Sequence, residues 1–508
     1  MEGKLNYRYI ARLIVKAQTP LFVGSGKASL LKDALVQKDC YGLPMIPGTS
    51  LTGVLRHAVM KDYDKSELSE YSDEKLEKYF SLLDFFGCQI RDSTLEDRFE
   101  KKAFEKWYKE RLSSNKRDTQ TVNIPDGLGS RLIVSSASFL LGNERVAEDL
   151  DENIPEELIR RLDNLPVRQH VRINEKGVAE KNKLFDNEVV YKGARFVFEV
   201  ELKGTASDKQ TWEKIISLFK NPLFRIGQGT RNGYGNLKVE KVFEKTYNLE
   251  DKKDFKAYLN FDPSFNTPLS YEPVEKSKDY EGFTQYSLIL KPDDFFIFNE
   301  GFGDTDVDYK PVTEEVIEYN NGEIKFIEQT LIPGSSIKGA LAHRVAYHYN
   351  KIKGNYADKL TAEAESSEYI GEENEAVAKL FGRKGEIKGN ENTGTRGLLI
   401  FDDQYYNDVN NDKIFNHIAI DRFTGGGIDG ALFSEKVSYK KDEPLEFKII
   451  MAKTEVDDQI QEALEEALKD ICKGLLPLGG MTTKGFGMFT GTLKKDGKLL
   501  FDYKNQMA

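Results

Sequence analysis

The sequence predicts an α+β protein built from two tandem ferredoxin-like domains, each a βαββαβ unit of the RRM type with an inserted hairpin. Three observations predict it. A glycine loop, IGQGTRNGYG at Ile226–Gly235, returns as LGGMTTKGFG at Leu478–Gly487, so Gly227 matches Gly479, Gly233 matches Gly485 and Tyr234 matches Phe486. IPGTSLTGVL from Ile46 returns as IPGSSIKGAL from Ile332. HVRIN at His170 returns as HIAID at His417, each leading to a Leu-Phe pair, Leu184-Phe185 and Leu432-Phe433. One such match is within chance, but three in the same order indicate duplication of a whole domain.

The elements follow in order. In the first half, residues 1–248, Tyr9–Lys16 reads as a strand. Ser50–Met60 places Leu51, Val54, Leu55, Ala58 and Val59 on one helical face. Arg131–Ser135 is a short strand, and Ala194, Phe196, Phe198, Val200 and Leu202 occupy alternate positions of another. Ser207 then caps a helix carrying Trp212, Ile215, Ile216 and Phe219, before the glycine loop and a last strand. The second half, residues 283–508, repeats the series with Tyr286–Lys291, Ser336–Tyr347, Gly397–Phe401, Leu445–Met451, a helix through Ile460, Leu464, Ala467 and Ile471, and Gly485–Leu493. Residues 249–282 are charged and aperiodic and read as a linker. Residues 91–129 form a charged insertion, helical around Phe99–Arg111, and the acidic Thr361–Leu380 reads as a solvated helix.

Composition narrows the function. A chain of 508 residues exceeds one core. Its formal net charge of -11 repels a polyanion, so any nucleic-acid site must be locally basic. No apolar run reaches membrane-spanning length and the start MEGKLNYRYIARL lacks the apolar core of a signal peptide, so no membrane contact and a cytoplasmic location are expected. Cys40, Cys88 and Cys472 are isolated, which predicts neither zinc nor disulfides. Two nucleotide-loop readings fail on pattern: the glycine spacing at Gly227 is not G-x-G-x-x-G before a helix, and GSGKAS at Gly24 has Leu21 where the leading glycine of a phosphate loop belongs.

The Ile-Pro-Gly-Ser/Thr-Ser turn, the histidine segment leading to Leu-Phe and the terminal glycine loop together resemble the RAMP proteins that form the RNA-binding backbone of type III CRISPR effector complexes. The fused pair resembles the double-backbone subunits of the III-D variants. The resemblance implies binding of CRISPR guide RNA and single-stranded target RNA, contact with other RAMP and large subunits, and in many members one target cut per repeat. It identifies the histidine segments, residues 165–193 and 415–440, with the family's thumb, a hairpin reaching across the guide–target duplex; His170, Arg172, His417 and Arg422 are then candidate RNA contacts.

The resemblance also places an aspartate after the first strand as catalytic and metal-binding. Asp33 stands there. Aligning Lys16 with Lys291 carries Asp33 onto Asp308, with Asp304 and Asp306 as competitors. A lone carboxylate can hold Mg2+ or Mn2+ if water and RNA phosphates complete the shell. A non-catalytic scaffold, or guide-precursor processing by the histidines, remain alternative readings.

The residues carry a physical reading of their own. Gly48 and Gly334 deliver Ser50 and Ser336 to helix starts, where free N–H groups suit a phosphate, with Arg56, Lys338 and Arg344 nearby. In the glycine loops Gly227, Gly229, Gly233 and Gly479 let another backbone approach, and Arg225, Arg231 and Lys484 can meet phosphates. Tyr234 and Phe486, lying between glycines, are expected in the core before they are expected on a base.

Overall fold

Alternation along the first strand sets the layers: Tyr9, Ala11, Leu13 and Val15 face the helices, while Ile10, Arg12 and Ile14 face the other way. The computed structural model describes residues 5–30, 32–90, 95–114, 124–148, 154–174, 177–267, 282–299, 303–359, 368–385, 387–388, 391–392, 394–407, 412–439, 444–453 and 456–504. The first repeat runs β1 (Tyr7–Ala17), α1 (Gly48–Met60), α2 (Asp73–Phe86), α3 (Leu95–Ser114), β2 (Leu132–Val134), β3 (Val167–Ile173), β4 (Ala179–Glu188), β5 (Arg195–Gly204), α4 (Lys209–Leu218) and β6 (Leu237–Asn248), followed by α5 (Lys252–Leu259). The second runs β7 (Phe283–Pro292), β8 (Thr313–Asn320), β9 (Glu323–Ile332), α6 (Gly334–Lys353), α7 (Glu375–Phe381), β10 (Leu399–Phe401), β11 (Asp412–His417), β12 (Phe433–Tyr439), β13 (Leu445–Ala452), α8 (Asp458–Cys472), β14 (Phe489–Lys495) and β15 (Lys498–Asp502).

The sheets have the same order, β2-β5-β1-β6 and β10-β13-β7-β14-β15, with every neighbour antiparallel. That is the ferredoxin-like order twice, plus one edge strand in the second copy. Two helices cover one face of each sheet: Leu51, Leu55, Trp212 and Ile215 in the first core, Leu341, Val345, Leu464 and Ile471 in the second. The cap of α4 differs from expectation. Thr205 and Asp208 form a capping box on the 3-10 turn that leads into α4, and Ser207 lies inside that turn.

The insertion is helical over a longer span than expected. Phe104 of α3 joins Tyr79, Phe80 and Leu83 of α2 in a separate aromatic core. Residues 115–123 lie outside the described residues. The acidic segment also departs from expectation: its described end, α7, buries Ala376, Val377, Leu380 and Phe381, because it is the second-repeat counterpart of α2. Both helices end in Phe-Gly, and both then enter a two-residue ladder, Cys88-Gln89 with Gly127-Leu128 and Gly382-Arg383 with Thr395-Arg396.

The start of the segment read as a linker packs on the first repeat. Phe265 joins Ile14, Leu140, Val146 and Val197, its ring 5.0 Å from the Arg12 guanidinium. The Asn266 side chain accepts from the Val146 N–H (2.9 Å) and donates to its carbonyl (3.0 Å). An RRM stacks bases on this sheet face. Here the chain itself covers it, so an RNA seat must lie elsewhere on the first repeat. Residues 268–281 are outside the described residues.

The β8–β9 hairpin reaches back from the second repeat. Ile317, Tyr319, Ile324 and Phe326 pack into the first core, and the Ile317 N–H donates to the Lys192 carbonyl (2.8 Å). The Tyr319 hydroxyl donates to the Leu140 carbonyl (2.7 Å) and accepts from the Arg195 N–H (3.2 Å). Gly193, at φ +89°, permits this: a Cβ there would sit 1.9 Å from the Ile317 carbonyl oxygen. Gly193→Ala is therefore expected to cost about 2 kcal/mol or more, by strain and loss of the hairpin contact, read as a lower midpoint in chemical denaturation.

Candidate nucleic-acid interface

The glycine loops are shaped by close approach, and the approaching backbone belongs to this protein. A Cβ on Gly227 would meet the Phe22 carbonyl oxygen at 2.2 Å, and the matched Gly479 would meet that of Ile297 at 2.4 Å. Gly233 faces the Asp403 carboxylate and Gly229 the Tyr234 ring. This corrects the sequence reading for Gly227, Gly229, Gly233 and Gly479. Their missing side chains admit loop backbone, a ring and a carboxylate of the same chain, and that is the approach the glycines serve. Tyr234 is 2% exposed, the core position expected of it.

The basic candidates divide by partner. Arg225, 3% exposed, forms an ion pair with Asp402 across the repeats. Arg344 donates from Nε to Asp470 (2.6 Å), which also meets His348 (2.7 Å). Arg172 pairs with Glu180 (2.9 Å) and Glu372 (3.1 Å). A guanidinium held in a buried pair has little to gain from a phosphate, so Arg225 and Arg344 are corrected to structural roles, whereas the half-exposed pairs of Arg172 leave it open to one. Arg231 is different. Its Nε donates to the Gly397 carbonyl, while its Nη1 is buried with no hydrogen-bond partner. Burial, with Arg396 and Arg225 nearby, pulls its pKa down to about 10. Burial and Arg231 lower Lys338, whose ammonium donates to Asn232 (2.9 Å), and burial lowers Arg396. Among the described residues no carboxylate pairs with any of these three cations. Arg396 was not a sequence candidate; its only signal was its place three residues before β10.

The two helix starts are built alike. Pro47 and Pro333 are the N-caps, Gly48 and Gly334 open the helices, and Ser50 and Ser336 fall at the third position. The first N–H is already satisfied: Gly48 donates to the Ser136 hydroxyl (3.2 Å) and Gly334 to the Asp403 carboxylate (2.8 Å). Lys338 is thus one turn into α6, beside Arg231. Arg56, Arg422 and Lys484 are exposed, the last with its ammonium 4.1 Å from the Phe433 ring centroid.

The histidine segments are hairpins, β3–β4 and β11–β12, and their recurrence has a physical cause. His170 and Phe185 are directly opposed across the ladder and stack at 4.9 Å, as do His417 and Phe433 at 4.8 Å. His170 bonds the Tyr234 hydroxyl (2.8 Å), and His417 bonds the buried Glu435 (2.6 Å). Burial, then Arg168, holds the His170 pKa below its usual value. Both imidazoles are held in the hairpin base.

Asp33 and Asp308 take equivalent places against these hairpins. The Asp33 N–H donates to Asp186 Oδ1 (2.7 Å) while the Asp186 N–H donates to Asp33 Oδ2 (3.0 Å). The Asp308 N–H donates to the Ser434 hydroxyl (3.2 Å) while the Ser434 N–H donates to Asp308 Oδ2 (2.7 Å). Asp186 and Ser434 each follow the Leu-Phe pair. The geometry therefore matches Asp308, rather than Asp304 or Asp306, to Asp33. Asp304, exposed, instead accepts the N–H groups of Asp306 and Val307 in its own loop. Among the described residues no group of three His, Cys, Asp or Glu side chains converges to hold a metal.

A family model described as the RAMP superfamily matches residues 14–238 and 329–490. The chain belongs to the RAMP superfamily. One match falls in each half, as a tandem of RAMP units requires, and no curated protein matches the chain. RAMP membership carries a CRISPR-associated, RNA-binding role and binding to other effector subunits. Among the described residues no helix of this RAMP tandem is long and apolar enough to cross a membrane. The site the RAMP motifs build is therefore a junction between two like units, and sequence reasoning missed its centre. That centre is Arg168, whose Nη1 meets Asp403 (2.5 Å) and whose Nε and Nη2 meet Glu314 (2.8 and 2.7 Å).

Burial pushes the Asp403 carboxyl up to about 6, against the pull of Arg168 and the Gly334 N–H. Its folded pKa exceeds the unfolded value near 3.9, so the contribution is complete below about pH 4 and is lost as pH rises through about 6. The stability margin of wild type over Asp403→Asn is accordingly expected to shrink between pH 4 and 7, measured by denaturation at each pH.

Proposed function

We propose that this protein is the fused double-backbone subunit of a type III CRISPR effector complex, seating guide RNA across the junction of its repeats and cutting the paired target at one position per repeat. The observation that carries the RNA seat is the convergence of the half-buried Arg231 and Lys338 with the exposed Arg396, cations without a described carboxylate, in a chain of net charge -11. Burial depresses all three pKa values and neighbouring cations add to this at Arg231 and Lys338, so an anion that neutralises them lowers the free energy of the junction. A phosphate of the guide backbone has the charge and the acceptor oxygens.

Asp33 and Asp308 are the candidates for cleavage. Each sits against a hairpin that exposes Val171, Leu184 and Phe185 on its strands in the first repeat and Ile418, Phe423 and Leu432 on its connecting loop in the second. Such apolar edges fit a duplex whose pairing they interrupt. Each aspartate has one carboxylate oxygen held by the backbone of the facing strand, which fixes its direction and leaves the other oxygen for a ligand. These residues fit Mg2+ or Mn2+ only as a partial shell, with RNA and water supplying the rest; the ion would supply charge stabilisation as the 2′-hydroxyl attacks the adjacent phosphate. Cation binding at Asp33 and Asp308 is then RNA-dependent. Such a complex works in the cytoplasm.

Two experiments test this. Replacing Arg231 and Lys338 by Ala is expected to weaken guide RNA binding about tenfold or more and to make the log–log salt dependence shallower by about 1.4, measured by titration at several salt concentrations. In the assembled complex with Mg2+, Asp33→Ala and Asp308→Ala are each expected to remove one mapped target cut by roughly 10²-fold or more while leaving the other. Survival of both cuts would make the protein a scaffold, with cleavage done by a partner.

A further inference from the structure

The junction between the repeats is chemically one-sided. Repeat one contributes Arg225, at the foot of its glycine loop, and Arg168, on β3. Repeat two contributes Asp402 and Asp403, just past β10, and Glu314, on β8. The Arg225 and Arg168 side chains are 1% and 11% exposed, and Asp403 and Glu314 are 0% and 5% exposed. The Arg168 Nη2 also donates to the Tyr405 hydroxyl (2.8 Å), so a carboxylate or hydroxyl meets each of its nitrogens.

The matching positions at the two outer ends of the molecule carry none of these charges. Strand pairing sets the equivalence: Ile46 bridges Ala137 as Ile332 pairs with Gln404, so Ser135 and Ser136 stand where Asp402 and Asp403 do. At the other end Pro477 occupies the place of Arg225 and Thr483 that of Arg231. Phe415, packed on Phe295 and Phe486, takes the place of Arg168. The reaching arm is also absent. The first-repeat counterpart of the β8–β9 hairpin is a tight turn at Asp39, closed by the Lys38–Pro44 bridge.

We infer that Arg168, Arg225, Glu314, Asp402 and Asp403 form an order key: it joins repeat one to repeat two of the same chain and leaves the outer glycine loop, residues 478–487, to a RAMP-fold chain of different sequence. A second copy docked on that loop would bring Ser135 and Ser136 to Pro477 and Phe415, without an ion pair and without a reaching arm. The charge wanted from the partner can be read from the junction. Asn232 accepts from Lys338 across it; Lys484 stands at the place of Asn232, and on a second copy it would face Thr52. A partner with a long β-arm and a carboxylate at the Lys338 position completes the contact. The inference does not depend on whether either repeat cuts RNA.

The test uses the full chain without RNA. Sedimentation velocity at increasing concentration is expected to show a monomer throughout. Arg225→Asp and Asp402→Arg are each expected to raise the rate of tryptic cleavage between the repeats roughly tenfold, and the two together to bring it back to within about threefold of wild type, the coupling that a direct charge pair gives. End-to-end oligomers of the unmodified chain, or no recovery in the double variant, would overturn the order key. If a single variant fails to fold, the double variant and the sedimentation of wild type still decide between the outcomes.

Discussion

The structure depends on two adjacent aspartates at one strand end. Asp403 satisfies the first N–H of α6, faces the carbon of Gly233 and neutralises Arg168; Asp402 does the same for Arg225. Removing one member of such a buried set leaves an uncompensated charge, which costs about 3 to 5 kcal/mol, whereas an exposed pair contributes under about 1 kcal/mol. The relative placement of the two repeats, and with it the convergence of Arg231, Lys338 and Arg396, is set by this site.

The same constraint explains why a strongly acidic chain can have an RNA-binding role. Carboxylates at the junction neutralise the arginines that hold the repeats together, and the cations left over are grouped at one edge of the contact. Local charge, not net charge, then governs phosphate binding. The sheet face that an RRM would use is closed by Phe265 and Asn266, so the RRM-like order of strands says nothing about where RNA lies in this molecule.

Both repeats keep one further device unchanged, the reciprocal backbone bond between a loop aspartate and the residue after Leu-Phe. Asp186 and Ser434 differ in chemistry, yet the bond survives because it is made chiefly by backbone N–H groups. What surrounds it diverges. His170 lies among Tyr234 and Arg168, whereas His417 bonds a buried carboxylate, so the two hairpin bases have different electrostatics on one frame.

The sequence by itself determined the duplication, the strand and helix order, and the recurrence of the histidine segments with their Leu-Phe pairs, because alternation, helical periodicity and repeated motifs are local and survive in a string; the choice of Asp308 over Asp304 and Asp306 needed the bond to Ser434. It placed Tyr234 in the core for the same reason. It misassigned Arg225 and Arg344, since a basic residue in a loop or helix reads alike whether a phosphate or a carboxylate faces it. Arg168, Asp402 and Asp403 gave no signal at all. Their meaning arises only when residues from separate repeats are brought within hydrogen-bond distance, and the tertiary structure alone decides which charges are buried together and which cations are left without a partner.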